Sequence, residues 1–312
     1  MNFNELLDVW MHDKQTYALK RRTYLRYEEI IRTQISPCIG KLDTNQITVQ
    51  ILNNFQQQKL TRGNVINGKP LASNTVKNMM SIIKCAMDYG REIGVQICST
   101  KRIIPLRLEE KQITAFRKDE QKRIEKVITE SRKSNHFGIL LCLYTGLRLG
   151  ELLALDWNDI DFQSGLLNIS KTSVFLNDNG IYKNRVDAPK TENSRRIIPL
   201  PKPLLTELKK LQKSSHSKHV ISTKNGTRVS NRSYQTTYAR LLKKANVEYK
   251  NFHVLRHTFA TRALECGVDI KTLSELMGHK SPAITMKRYV HSMLETKVKA
   301  MDTLTKSLNL GK

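Results

Sequence analysis

Nowhere in the 312 residues does an apolar run reach the 18 or so residues that a membrane-spanning helix needs. The start, MNFNELLDVWMHDK, is acidic and amphipathic, unlike the basic and then apolar order of a secretory signal, and none is expected. The chain is expected to be soluble and intracellular, in the cytoplasm, without a membrane partner. Cysteine is sparse. Cys38, Cys85, Cys98, Cys142 and Cys266 are odd in number, widely spaced and without a C-x-x-C pair, which argues against a disulfide frame or a zinc site. They are expected to be reduced, mostly buried small hydrophobes. Acid is the third shortage: 53 Lys and Arg face 28 Asp and Glu, a net charge of +25. A field of that sign attracts polyanions and raises their on-rates, so nucleic acid is the expected partner.

The excess is uneven. Residues 1–110 hold 16 basic and 10 acidic side chains, and the remainder holds 37 and 18. Clusters at Lys20-Arg21-Arg22, Arg195-Arg196 and Lys243-Lys244 each read, taken singly, as solvated faces; the global sum carries the inference.

The length suits two domains, each with its own core. From Asn2 to Gly94 the apolar period is helical, near 3–18, 22–36, 48–60 and 73–94. In the last of these, Val76, Met79, Met80, Ile83 and Met87 share one face. Pro37 and Gly40 are expected to stop the second helix. Residues 1–94 are thus predicted to form a small helical domain and 95–117, around Pro105, a linker. Residues 118–312 then form a second domain, mainly α with a small antiparallel β-sheet. Its helices are expected near 119–133, 136–145, 148–157, 203–213, 232–245, 254–266, 269–277, 282–290 and 294–308. The strand-like runs are LLNISKTSVFL, the turn NDNG, IYKNRVDAPKT and RRIIPLP.

Within NFHVLRHTFATRAL, residues 251–264, His253 and Arg256 are spaced to share one side of a helix that begins near Phe252. His253 and His257 at i, i+4 suggest a metal motif, but the position after the first His is Val254, where a zinc protease needs Glu. A catalytic zinc is not expected. Downstream, LMGHKSPAITMKRYVH adds His279 and, ten residues later, Tyr289. A phenol with a pKa of about 10 can attack phosphorus where anion-stabilising groups surround it. Upstream, TGLRLGELLALDW carries Arg148 at a helix start, where pairing with Glu151 is the plain reading. Lys190 lies in a turn before a strand in DAPKTENSRRIIPL.

These four stretches, in this order and spacing, resemble the tyrosine recombinase, or phage integrase, family. The N-terminal half is similar to that family's SAM-like core-binding domain through TYLRYEEIIRTQISPCIGKLDTNQIT and LASNTVKNMMSIIKCAMDYG. The resemblance covers nearly the whole chain. It implies the two-domain architecture of these DNA breaking-rejoining enzymes, with the 1–94 domain binding DNA and 118–312 carrying catalysis and a C-terminal tail helix. It further implies that Arg148 and Arg256 hold the scissile phosphate, that Lys190 is the hairpin lysine and that Tyr289 is the nucleophile. His253 and His279 match the two remaining active-site positions, and His257 a structural one.

The chemistry suits the residues. Guanidiniums stabilise charge on the nonbridging oxygens, a Lys can protonate the leaving 5′ oxygen, and a His can take the tyrosine proton. On this reading no cofactor, metal or ATP is needed. The implied function is site-specific DNA recombination through a 3′-phosphotyrosyl intermediate, in integration, excision, inversion or resolution. The partners are double-stranded recombination sites and a homotetramer in the synaptic complex, with a monomer free in solution and a bacterial nucleoid, phage or mobile-element context.

Lys20, Arg21, Arg22, Lys77, Lys84 and Arg240 are the expected DNA contacts, chosen for charge on predicted helices. Two departures from the family pattern stand out. Met277 replaces a more usual Leu, and the core-binding-like segment starts almost at Met1, so that no arm-binding domain is expected and a simpler reaction such as inversion, resolution or accessory-free integration is favoured. Two other readings share these features: a noncatalytic DNA-binding regulator on the same scaffold, and a type IB topoisomerase.

Overall fold

The computed structural model describes residues 1–17, 19–63, 68–107, 115–131, 133–178, 181–187, 194–289, 301–302 and 304–305; side chains 15–17, 175–184 and 287–289 are outside the description. The chain divides into two compact units, Met1–Lys111 and Gln112–Lys312. Among the described residues no helix is long and apolar enough to cross a membrane.

The first unit is helical: α1 (Phe3–Tyr17), α2 (Arg21–Ile30), α3 (Val49–Arg62) and α4 (Ser73–Glu92). Thr48 caps α3 by accepting from the Ile51 amide at 3.3 Å, which satisfies one of the donors a helix start leaves unpaired. All five apolar positions predicted for one face of α4 are buried, and they pack with Phe3, Leu6, Leu7, Trp10 and Phe55. Pro37 does not end the second helix. After Ile30 the chain winds on as a π-helix, Ile31–Gly40, with Pro37 inside it. A wider turn relieves the clash between a proline ring and the carbonyl four residues back, and the burial of Ile31, Ile35 and Ile39 holds it.

The second unit runs α5 (Lys118–Ser131), α6 (Ser134–Thr145), α7 (Leu149–Ala154), β1 (Ile160–Asp161), β2 (Leu166–Ile169), β3 (Thr172–Asp178), β4 (Ile181–Asp187), β5 (Arg196–Pro199), α8 (Lys202–Lys213), α9 (Asn231–Lys244), α10 (His253–Glu265), α11 (Ile270–Met277) and α12 (Pro282–Tyr289). The β structure is antiparallel, as expected, but divided in two: β1-β2-β5 form one sheet and β3-β4 a separate hairpin. The run LLNISKTSVFL breaks because Lys171 turns aside to Asp156 (3.0 Å) and Asp159 (2.9 Å). β2 therefore pairs with β5, Leu167 opposite Ile198. The core is built from α6, α7, α8, α9, α10 and the first sheet, through Leu141, Leu152, Leu167, Leu208, Tyr234 and Leu255.

Of the predicted tail helix, 301–302 and 304–305 lie within the description, and Met301 and Leu304 are exposed there. The cysteines depart from expectation: Cys142 is buried, whereas Cys38, Cys85 and Cys266 are exposed and Cys98 is half-buried. Cys38 and Cys85 fall on the outer faces of their helices and Cys266 just past the end of α10, while bulkier neighbours such as Ile35, Met87 and Leu264 occupy the core instead.

Candidate active site

The site starts at a turn. Gly146 ends α6 with φ 65°, a left-handed conformation that glycine adopts without a steric cost. A Cβ there would lie 2.5 Å from the Phe259 ring. The turn delivers Arg148 to the cap position of α7, where its backbone amide donates to Glu151 Oε2 at 3.0 Å. The Arg148 guanidinium, about a third exposed, donates to Glu151 Oε1 at 2.6 Å and to the Gly278 carbonyl at 3.0 Å.

Glu151 also holds Arg196 at the start of β5. Both side chains are buried, and the guanidinium donates to Oε2 at 2.8 Å and to Oε1 at 3.2 Å. Arg196 donates further to the Leu276 carbonyl at 2.6 Å. Burial pushes the Glu151 carboxyl up, but the Arg196 hydrogen bonds and charge, with the Arg148 charge and amide, outweigh it and hold the pKa at about 2. Beneath this pair the Cys142 thiol is pushed up by burial and by the Glu151 charge, against the opposing pull of Arg256.

Arg256, in the first turn of α10, is 1% exposed. It donates to the Gly146 carbonyl at 2.7 Å and to the Met277 carbonyl. Gly278, left-handed at φ 62°, closes α11 and turns the chain into buried His279. His279 Nδ1 lies 2.6 Å from the Thr285 hydroxyl on α12, which fixes the plane of the ring. His253 is exposed and meets the His257 ring edge to face, centroids 4.6 Å apart.

Arg148, His253, Arg256 and His279 line one pocket of about 350 Å³, with Ser194 and Lys280. Four residues singled out in the sequence are therefore brought together from the α6-α7 turn, α10 and the α11-α12 turn. His257 does not line the pocket. Lys190 lies outside the described residues, within 188–193. Tyr289 is the last residue of α12, and its side chain is outside the description.

Sequence reasoning missed Arg196, Ser194, Lys280 and Thr285. Arg196 was assigned with Arg195 to a solvated face, but its side chain is 5% exposed. The usable signal was alternation along β5, where Ile198 is buried and Ile197 exposed. The pairing of Arg148 with Glu151 is present, and the same guanidinium also faces the pocket. Of the expected DNA contacts, Lys20, Arg21, Arg22 and Lys77 are exposed in the first unit and Lys84 is half-buried. Arg240 is exposed on α9, against a different pocket.

The model of the phage integrase family matches residues 107–295, and that of the phage integrase N-terminal SAM-like domain matches residues 2–60. The chain is similar to a tyrosine recombinase XerC-like protein of Caldanaerobacter subterraneus subsp. tengcongensis, 31% identical over 97% of this chain and 83% of that protein. It shares its fold with a Tn1549 transposon integrase fragment solved on transposon right-end DNA, TM-score 0.81 and 20% identical, covering 98% of this chain and 100% of that one. It also resembles lambda integrase, solved as a tetramer on a Holliday junction, TM-score 0.66 and 19% identical, covering 90% of this chain and 78% of that one.

Proposed function

The chain belongs to the phage integrase family of tyrosine recombinases, and from that membership we propose that it is a site-specific DNA recombinase working through a covalent 3′-phosphotyrosyl link at Tyr289. The observation that carries this is the convergence of Arg148, Arg256, His253 and His279 on one pocket beside the helix that ends at Tyr289.

The Tyr289 phenol oxygen attacks phosphorus and the bond to the 5′ oxygen breaks. Arg148 and Arg256 meet the nonbridging oxygens, where fixed guanidiniums lower the barrier. Lys190 protonates the departing 5′ oxygen, and His279 takes the phenol proton. His279 suits this role because Thr285, which it bonds, precedes Tyr289 by one helical turn on the same face of α12. The phosphodiester energy is kept in the phosphotyrosyl bond, so a 5′ hydroxyl can religate without ATP. If that hydroxyl comes from a second duplex, the result is strand exchange.

The partners in this reading are two duplex sites and four protomers at synapsis, with a monomer free in the cytoplasm. The helical unit at 1–94 contributes DNA contacts through Lys20, Arg21, Arg22, Lys77 and Lys84, residues 95–117 link it to the 118–312 catalytic unit, and the tail serves assembly.

The test uses a duplex site recovered by selection from random sequence and nicked next to the cleavage position, so that religation is blocked. A protein-DNA adduct that Tyr289→Phe abolishes while DNA binding persists is expected. No adduct from the wild type, or one that survives in Tyr289→Phe, overturns the reading. Relaxation of a supercoiled plasmid lacking the site would indicate a topoisomerase instead.

A further inference from the structure

A second pocket, at the N-terminal end of α6, has no part in the reaction proposed above. It encloses about 730 Å³, roughly twice the volume of the active-site pocket. At 1.5 Å per residue, the twelve residues of α6 set its two ends about 18 Å apart. Lys133, Lys224, Arg240 and Lys244 converge on the pocket with His136, and no Asp or Glu is among its lining residues. Four cations gathered with no carboxylate among the described lining residues repel one another, and an anion placed among them relieves that repulsion.

Two further observations point the same way. Lys133 is the cap residue of α6 and supplies no side-chain cap, so the first-turn amides of Ser134 and Asn135 have no acceptor within the helix. They stand at its positive end. His136, whose Nδ1 lies 2.7 Å from Ser131 Oγ, is held below its ordinary pKa first by burial and then by the charges of Lys133 and Lys244. Lys133 and Lys244 thus stand close enough for their charges to act on the ring. Ser222 and Thr237 add neutral hydroxyl donors to the wall.

We infer that this pocket binds an oligophosphate anion, two or more phosphate groups in series, at a place distinct from the reacting phosphate. A volume of about 730 Å³ and four lining cations exceed what one phosphate uses. The chemistry is shared by two sources, the backbone of duplex DNA and a free oligophosphate, and the inference does not depend on Tyr289 being a nucleophile.

The test titrates the His136 ring by NMR on the full chain, its resonance assigned with His136→Gln. Inorganic tripolyphosphate is expected to raise the His136 midpoint by about one pH unit, as an opposite charge within a few ångströms does. The double variant Lys133→Ala, Arg240→Ala, with both residues exposed, is expected to lose that rise and to bind tripolyphosphate about tenfold more weakly or worse. Arg256→Lys is expected to titrate as the wild type does, which separates this site from the active one. A duplex that itself raises the midpoint and displaces tripolyphosphate assigns the pocket to DNA, and one that binds without moving it assigns the pocket to a free oligophosphate. A midpoint that neither probe moves, or a rise that persists in the double variant, overturns the inference.

Discussion

Glu151 and Arg196 form a two-point ion pair with both side chains about 95% buried, and the same carboxylate holds Arg148 at the pocket wall. The depressed carboxyl contributes stability that is present above its ordinary value of 4.5 and is lost as pH falls through about 2. Glu151→Gln is therefore expected to cost about 3 kcal/mol at pH 7. Urea unfolding should show the gap between variant and wild type shrinking from pH 5 toward pH 2. A gap independent of pH would mean that the carboxylate charge is not what holds the two arginines.

Arg256→Lys keeps the charge but cannot span the Gly146 and Met277 carbonyls as a guanidinium does. Cleavage of the nicked substrate is expected to fall by about 100-fold or more, with the circular dichroism spectrum retained. A cleavage rate near that of the wild type would remove Arg256 from the proposed machinery.

Gly146→Ala forces a left-handed residue and sets a methyl group against Phe259. It is expected to lower stability by about 1–3 kcal/mol and to slow cleavage by displacing the carbonyl that Arg256 bonds. Thermal unfolding and the nicked-substrate assay measure the two effects separately.

Removing Lys20, Arg21, Arg22 and Lys77, all exposed, is expected to flatten the plot of log binding constant against log salt. Each side chain that neutralises a phosphate contributes about 0.9 to the slope. An unchanged slope would place the DNA elsewhere than on this part of the helical unit.

Cysteine labelling follows burial. In the native protein a maleimide is expected to reach Cys38, Cys85 and Cys266, while Cys142 reacts only after denaturation. Its thiol is both covered and held in the unreactive neutral form. Mass spectrometry of the labelled peptides distinguishes the two classes.

Much of the helical frame was legible because its signals are local. The stripe from Val76 to Met87 lies within a short window of sequence. The convergence of Arg148, His253, Arg256 and His279 was legible only because all of them belong to one resembled pattern; no local rule brings residues 148 and 279 together. What escaped depends on long-range partners. Pro37 was read by its usual effect in an α-helix, and the burial of the isoleucines around it favoured a wider winding. Arg196 looked like half of a surface pair, since its carboxylate lies 45 residues earlier in the chain. The exposed thiols were misjudged because composition alone does not say which helix face a residue occupies.

Arg256 donates to the carbonyl of Gly146, while Arg148 donates to the carbonyl of Gly278. The end of α6, the start of α10 and the end of α11 are thereby laced through the two guanidiniums, and opening any one of them breaks bonds belonging to the others. The backbone amides of these three places should therefore exchange with deuterium as one cooperative unit. A local fluctuation does not leave the pocket half assembled: either all of its anion-holding groups are in place, or the pocket has opened as a whole.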